Sequence, residues 1–309
     1  MSLLVVGSMA YDDIETPRAQ VQDALGGSAT FFSTAASYFS PVNLVAVVGE
    51  DFKHEAIAFL RDRGVDLDGL TTETGKTFRW KGRYLANMND RETIYTHLNV
   101  FETFNPVLPE KYRDSEFVFL ANISPELQYH VMTQVRKPKF VAMDTMNFWI
   151  TGSLESLRRT LGVVDALLIN DSEVKMLSEE DNLFIAARRV QAMGPRTLII
   201  KKGEHGALLV HGQSYFQCPA FPVESLNDPT GAGDTFAGGF MGYLAMSGDV
   251  TEENLRRAVV FGSALASFCV EDFSIGRLQS LSKAEIIARV AALRQMTCFS
   301  EDKDWLVGD

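Results

Sequence analysis

The chain has 309 residues, 46% hydrophobic and 22% charged, a balance typical of a globular protein with an extensive core. Its 40 acids outnumber 29 bases, for a net charge of −11, and no basic run breaks that balance, which excludes a nucleic-acid-coating surface. Cys218, Cys269 and Cys298 are too few and too scattered for a disulfide framework or a structural zinc, and no apolar run reaches bilayer length, so a cytoplasmic protein is expected.

Leu3 to Val6 is a wholly apolar run without a basic leader, and it reads as a first strand buried on both faces of a parallel sheet. Asp12 and Asp13 follow it. An acid beyond the carboxyl end of such a strand is placed to hold a ligand hydroxyl, although a solvated loop carboxylate fits the sequence equally well. Gly26-Gly27 leads through Ser28-Ala29-Thr30 into the helix-like run Phe31 to Tyr38. Leu44 to Val48 is a second buried strand, and Phe52 to Arg63 carries a helical apolar face stopped by Gly64.

Gly75-Lys76-Thr77 is not a phosphate loop, because Leu70 stands where its first glycine is required and a strand pattern follows. From Thr77 to Leu85 the residues alternate, with Phe78, Trp80, Gly82 and Tyr84 on one face and Arg79, Lys81 and Arg83 on the other. A turn at Asn87 to Glu92 and a second strand at Thr93 to Phe101 complete a hairpin over 77–101. This hairpin either lids a site or packs as an edge on the body or on a second subunit.

Beyond residue 110 short apolar strands alternate with helices: Phe117 to Leu120, Phe140 to Met143, Ala166 to Asn170, Thr197 to Lys201 and Ala207 to Val210, with helices near 125–135, 154–161, 173–178 and 183–193. This rhythm predicts one α/β domain over 1–309, its mainly parallel sheet covered on both faces. Polar residues collect after the strands. Asp144 and Asn147 follow one; Asn170-Asp171-Ser172-Glu173 follows the next, with the spacing of a helix capping box. Lys201-Lys202-Gly203-Glu204-His205-Gly206 joins two more, and His205 reads as a solvated loop residue. Asn254 to Phe268 is a buried helix, Lys283 to Met296 an amphipathic one, and the tail to Asp309 a polar surface segment.

The most informative stretch is Asn227 to Gly239. Gly231 and Gly233 permit a tight turn, Asp234 sits at the mouth of a helix running from Thr235 to about Ser247, and the free N–H groups there suit a phosphate or a developing anion. A plain capped turn is the alternative for a bare Gly-X-Gly-Asp. The longer string Asp-Pro-Thr-Gly-Ala-Gly-Asp-Thr-Phe-Ala-Gly-Gly at 228–239 resembles the C-terminal signature of the ribokinase-like (phosphofructokinase-B) family of sugar and nucleoside kinases. Gly26-Gly27 resembles that family's N-terminal motif, with Phe31 standing where many members carry Asn; the Asn170 and Gly203 segments agree with it in order along the chain.

The resemblance implies a ribokinase-like three-layer sandwich with a central, mainly parallel sheet and a small β-sheet lid formed by about 9–24 and 77–101. It implies an ATP-dependent kinase that phosphorylates a primary hydroxyl of a ribonucleoside or ribose-like sugar. Asp234 would be the general base, and the Gly231, Ala232, Gly233 and Asp234 backbone the anion hole. Asp12, Gly26, Gly27 and Phe31 would line the acceptor site. Asn170, Lys202, Gly203, Gly206, Thr230 and Gly233 would meet the nucleotide. Glu173 would organise Mg2+ through water, and Asp228 would lie near an activating monovalent cation such as K+. The partners implied are ATP and a small acceptor, with no nucleic acid and no membrane, in a monomer or a homodimer joined through the lid. The aromatic face of the hairpin and Phe31 and Phe32 favour a nucleoside. A phosphosugar kinase using Arg79, Lys81 or Arg83, and a catalytically silent sensor of the same fold, are the alternatives.

Overall fold

A computed structural model describes residues 1–298, so the polar tail expected up to Asp309 lies almost wholly outside the described residues. In chain order the elements are β1 (Leu3–Val6), β2 (Ala10–Glu15), β3 (Gln20–Gly26), α1 (Ser28–Ala36), β4 (Val42–Gly49), α2 (Ala58–Asp62), β5 (Val65–Glu73), β6 (Phe78–Tyr84), β7 (Arg91–His97) and β8 (Phe117–Leu120). There follow α3 (Pro125–Met132), β9 (Phe140–Asp144), α4 (Asn147–Gly152), α5 (Leu154–Leu161), β10 (Ala166–Asn170), α6 (Asp171–Ser178) and α7 (Leu183–Gln191). The last are β11 (Thr197–Lys201), β12 (Ala207–His211), β13 (Ser214–Cys218), α8 (Ala232–Ser247), α9 (Glu252–Cys269), α10 (Gly276–Ser280) and α11 (Lys283–Thr297).

Among the described residues nine strands form the main sheet in the order β13-β12-β11-β10-β9-β8-β1-β4-β5, parallel except where β12 runs against both neighbours. Alternate residues of each inner strand feed opposite layers. Leu3 and Val5 of β1 join Phe32, Phe236 and Phe240 under α1, α8 and α9, whereas Leu4 and Val6 join Val131, Leu157 and Val174 under α3, α5 and α6. Both faces are therefore dry, which is why these strands read as unbroken apolar runs. The chain leaves β1 for β4 on one side and returns to β8 on the other, so a crevice opens at their carboxyl ends, where open α/β sheets hold ligands.

The second sheet has the order β3-β2-β6-β7. The expected hairpin is β6 and β7, but β6 is also joined in parallel to β2, whose Asp12 faces Trp80 across the pair. The alternation along β6 survives because the extra residue at the irregularity between Lys81 and Gly82 falls on β7, at Ile94. Arg79, Lys81 and Arg83 point to the outer face and pair with Asp23, Glu15 and Glu15 respectively.

Several boundaries differ from the sequence reading. The helix expected over Phe52 to Arg63 is a 3-10 turn at His54–Ile57 and the short α2, since its first turn finds no side-chain cap. The strand expected to reach Phe101 ends at His97 and gives way to a 3-10 turn at Asn99–Thr103, where Phe101 stacks on Phe78 and Phe104. Gly75-Lys76-Thr77 is a structural corner, with the Thr77 amide and hydroxyl donating to Asp51 at 2.7 and 2.6 Å.

Candidate active site

The strand ends and the start of α8 bring together side chains from all parts of the chain. Asp144 ends β9, Asn170 ends β10, and Lys201 ends β11 in register with Asn170. Facing them, Gly231 precedes α8 in the left-handed conformation with φ 74°, and Asp234 lies in the first turn. A side chain at Gly231 would also collide with the Phe31 ring, so this position needs glycine for both its conformation and its neighbour.

The anion cradle differs in one detail from expectation. The Ala232 N–H donates to the Pro229 carbonyl at 3.2 Å, which withdraws it from the hole, whereas the Gly233 and Asp234 N–H groups have no backbone acceptor among the described residues. Lys201 completes the cradle, its ammonium 2.9 Å from where a Gly233 Cβ would stand. Sequence reasoning named Lys202 as a nucleotide contact and gave Lys201 no role; the Lys202 N–H donates to the Gly206 carbonyl across the loop at 2.8 Å, and the ammonium beside Gly233 is that of Lys201. Burial raises the Asp234 pKa, and the Lys201 and Arg91 cations oppose that rise.

Asn170 and Glu173 form a full capping box, the Asn170 side chain accepting from the Glu173 amide at 2.7 Å and the Glu173 carboxylate from the Asn170 amide at 3.0 Å. The box leaves Glu173 Oε1 uncommitted. Beside it is Asp144, a buried carboxylate that sequence reasoning noted without a role; its Oδ1 has no hydrogen-bond partner, and burial together with Asp234 raises its pKa. An orphaned buried carboxylate oxygen beside a half-committed one is an all-oxygen donor set suited to Mg2+ and its waters. Asp228 is likewise fully buried. Its two oxygens accept the Thr230 and Ser274 amides at 2.8 and 3.4 Å, no basic side chain pairs with it among the described residues, and a monovalent cation would fit as its missing counter-charge.

On the acceptor side the two adjacent acids separate. Asp13 accepts the Tyr95 hydroxyl at 2.6 Å and the Asp23 amide at 2.9 Å, a structural role. Asp12 points the other way, is 5% exposed and lies against Gly26, where any side chain would collide with its carboxylate. Burial, then the Asp228 and Asp234 charges, push its pKa up to about 8. Gly27 takes a positive φ of 91° and starts α1. Phe31 requires a correction: at 1% exposure its ring is sealed beneath Gly231 in a core cluster, and Phe32 stacks on Phe119, so neither ring is free to meet an acceptor.

The second sheet reaches over this crevice and touches it twice. The Tyr84 hydroxyl lies 3.0 Å from Thr230 Oγ1 in the signature turn, and Asn89 at the hairpin tip donates to Glu204 at 2.8 Å beside Gly203. Of the expected aromatic face, Phe78 packs on Phe101 and Tyr84 is held by Thr230, leaving Trp80 half-buried and turned inward. His205 is exposed, as expected of a loop residue. Among the described residues no helix is long and apolar enough to cross a membrane.

The model of the pfkB family of carbohydrate kinases matches residues 2–279. A cytidine kinase of Thermococcus kodakarensis is 29% identical over 248 residues, 78% of this chain and 87% of that protein. A nucleoside kinase of Methanothermobacter thermautotrophicus is 25% identical over 286 residues, covering 87% and 89%. The crystal structure of the Methanocaldococcus jannaschii nucleoside kinase superposes with a TM-score of 0.74 over 94% of this chain and 98% of that one, at 21% identity, which supports the three-layer fold and the small sheet.

Proposed function

Because the chain belongs to the pfkB family of carbohydrate kinases and phosphorylates a nucleoside or a sugar, we propose that it transfers the γ-phosphate of ATP to a primary hydroxyl of a ribonucleoside. The observation that carries the reading is the turn at the start of α8, where Asp234 lies beside the Lys201 ammonium and the Gly233 and Asp234 N–H groups find no backbone acceptor among the described residues. Asp234 takes the proton of the acceptor hydroxyl as its oxygen attacks the γ-phosphorus. The bond to the β-phosphate oxygen breaks, and ADP leaves with the electron pair. The Gly233 and Asp234 N–H groups and Lys201 hold the charge on the transferring group; phosphoryl transfer asks a protein mainly for such positioning and charge stabilisation.

Asp144 and Glu173, the latter fixed by Asn170, would hold Mg2+ through oxygen and water, and the ion would offset phosphate charge. Gly203, Gly206 and Thr230 would receive the nucleotide, and Asp228 with its neighbouring carbonyls a monovalent cation. Asp12, lying against Gly26, would accept acceptor hydroxyls. The nucleoside preference rests on the names of the relatives, two of which are a cytidine kinase and a nucleoside kinase. A phosphosugar reading loses its expected cations, since Arg79, Lys81 and Arg83 are all engaged in ion pairs on the outer face.

Asp234→Asn tests the base. Turnover is expected to fall about 10²- to 10⁴-fold, the usual worth of a general base, with ATP affinity retained. Turnover within a few-fold of the wild type would remove Asp234 from the mechanism. A coupled assay over nucleosides and free sugars tests the acceptor class, and activity confined to free sugars would overturn the nucleoside assignment.

A further inference from the structure

Arg91 opens β7, directly opposite Tyr84 of β6. Residues opposite one another in an antiparallel pair project to the same face, so Arg91 shares the inner face of the second sheet with Tyr84 and Trp80. Two contacts fix where that face lies. The Tyr84 hydroxyl is 3.0 Å from Thr230 Oγ1 in the signature turn, and the Arg91 guanidinium carbon is 5.7 Å from the centre of the Trp80 ring. The preceding turn is also held down, with Met88 buried and Asn89 bonded to Glu204.

The charge environment of Arg91 is unusual for this sheet. Arg79, Lys81 and Arg83 on the outer face are each paired with an acid, whereas no carboxylate lies within ion-pair distance of Arg91 among the described residues. It nevertheless lies near enough to Asp12 and Asp234 to lower the pKa of each. An exposed guanidinium on the inner face, set against Tyr84 and the Trp80 ring and with no carboxylate partner among the described residues, is poised for an anion that arrives between it and the buried acids.

We propose that Arg91 is a contact to the phosphoryl group in transfer, delivered by the hairpin and binding a γ-phosphate oxygen on the side facing away from Lys201 and the Gly233 and Asp234 N–H groups. The proton of the acceptor hydroxyl goes to Asp234 and the electron pair leaves with ADP, as above. The proposal rests on the kinase reading and adds a phosphate ligand from a second sheet. The cradle would then be closed from both sides only when the hairpin is seated, which ties transfer to exclusion of water.

The test begins with the wild-type enzyme and its best nucleoside acceptor. Absence of phosphate transfer at that stage would defeat the kinase reading itself, independently of Arg91. Given wild-type transfer, Arg91→Ala is expected to lower kcat about 10²- to 10³-fold, as loss of one transition-state donor does, with acceptor KM changed less than about threefold. Arg91→Lys should recover part of the loss. Calorimetry with acceptor present gives a second readout: Arg91→Ala should weaken a non-hydrolysable ATP analogue about tenfold or more and leave ADP unchanged. Arg91→Met keeps the packing on Trp80 without the charge. Restoration of kcat by Met would reduce Arg91 to a packing residue and overturn the proposal. So would equal weakening of ADP and the analogue, or a loss confined to the KM of a phosphorylated acceptor.

Discussion

Asp12 and Asp13 are adjacent in sequence and opposite in circumstance. One step along an extended strand reverses the side chain, so Asp13 is spent on Tyr95 and the Asp23 amide while Asp12 is buried in the crevice with a pKa near 8. An acid whose pKa is raised is neutral below that value. Apparent affinity for the acceptor should therefore climb as pH rises through about 8, and Asp12→Asn should flatten the profile; a flat wild-type profile from pH 6 to 9 would remove Asp12 from hydroxyl binding. The same shift has a stability side. The folded chain keeps a proton that the unfolded chain releases, so Asp12's contribution is complete below the ordinary carboxylate range and is lost as pH rises through about 8. At this scale the sequence was legible in local conformation, as at Gly231, whose left-handed turn opens α8 with Asp234 in its first turn. It was not legible at Lys201, because the point where β11 stops, and hence which lysine faces the cradle, is set by pairing with Asn170 of β10.

Among the elements, α6 shows how one short helix serves two ends. Its capping box satisfies its own first turn, and the Glu173 of that box lies near enough to the orphaned Asp144 carboxylate to raise its pKa. The roles separate in Glu173→Gln. The amide oxygen still accepts from the Asn170 N–H, so the melting temperature should stay within a few degrees, while the Mg2+ concentration for half-maximal activity should rise about tenfold. Asn170→Ala should instead cost about 1 kcal/mol of stability as well, the usual worth of an N-cap, measured by denaturant unfolding. The helix expected from Lys283 starts there, behind the Ser282 cap, whereas the one expected from Asn254 starts earlier, at Glu252 behind the Thr251 cap. The segment 52–63 lacks such a cap, and periodicity alone overstated it. β5, which pairs only with β4 at the edge of the main sheet, alternates too weakly to announce itself, since its second half is exposed.

On the scale of the molecule, the alternation of strands and helices declared the layered sheet, but no local pattern declared that β2 and β6, far apart in the chain, would bond in parallel; only the resemblance of the whole chain to a family joined 9–24 with 77–101 in one small sheet. That pairing is settled by long-range closure and leaves no local pattern. It also determines who carries which acid. Asp12 belongs to the second sheet, whereas Asp228 lies in the segment before α8 and Asp234 in that helix's first turn. Seating the second sheet thus brings three carboxyl groups together, and Asp12 avoids the repulsion by keeping its proton up to a pKa of about 8. The protonation state of one side chain then becomes a position sensor for the whole sheet. In carboxylate-detected NMR of the wild type, the Asp12 pKa should fall towards the ordinary carboxylate range whenever the hairpin swings away, and Asn89→Ala, which cuts the tether to Glu204, should shift it that way with no substrate present. An Asp12 pKa indifferent to that substitution would mean that the two sheets move as one body.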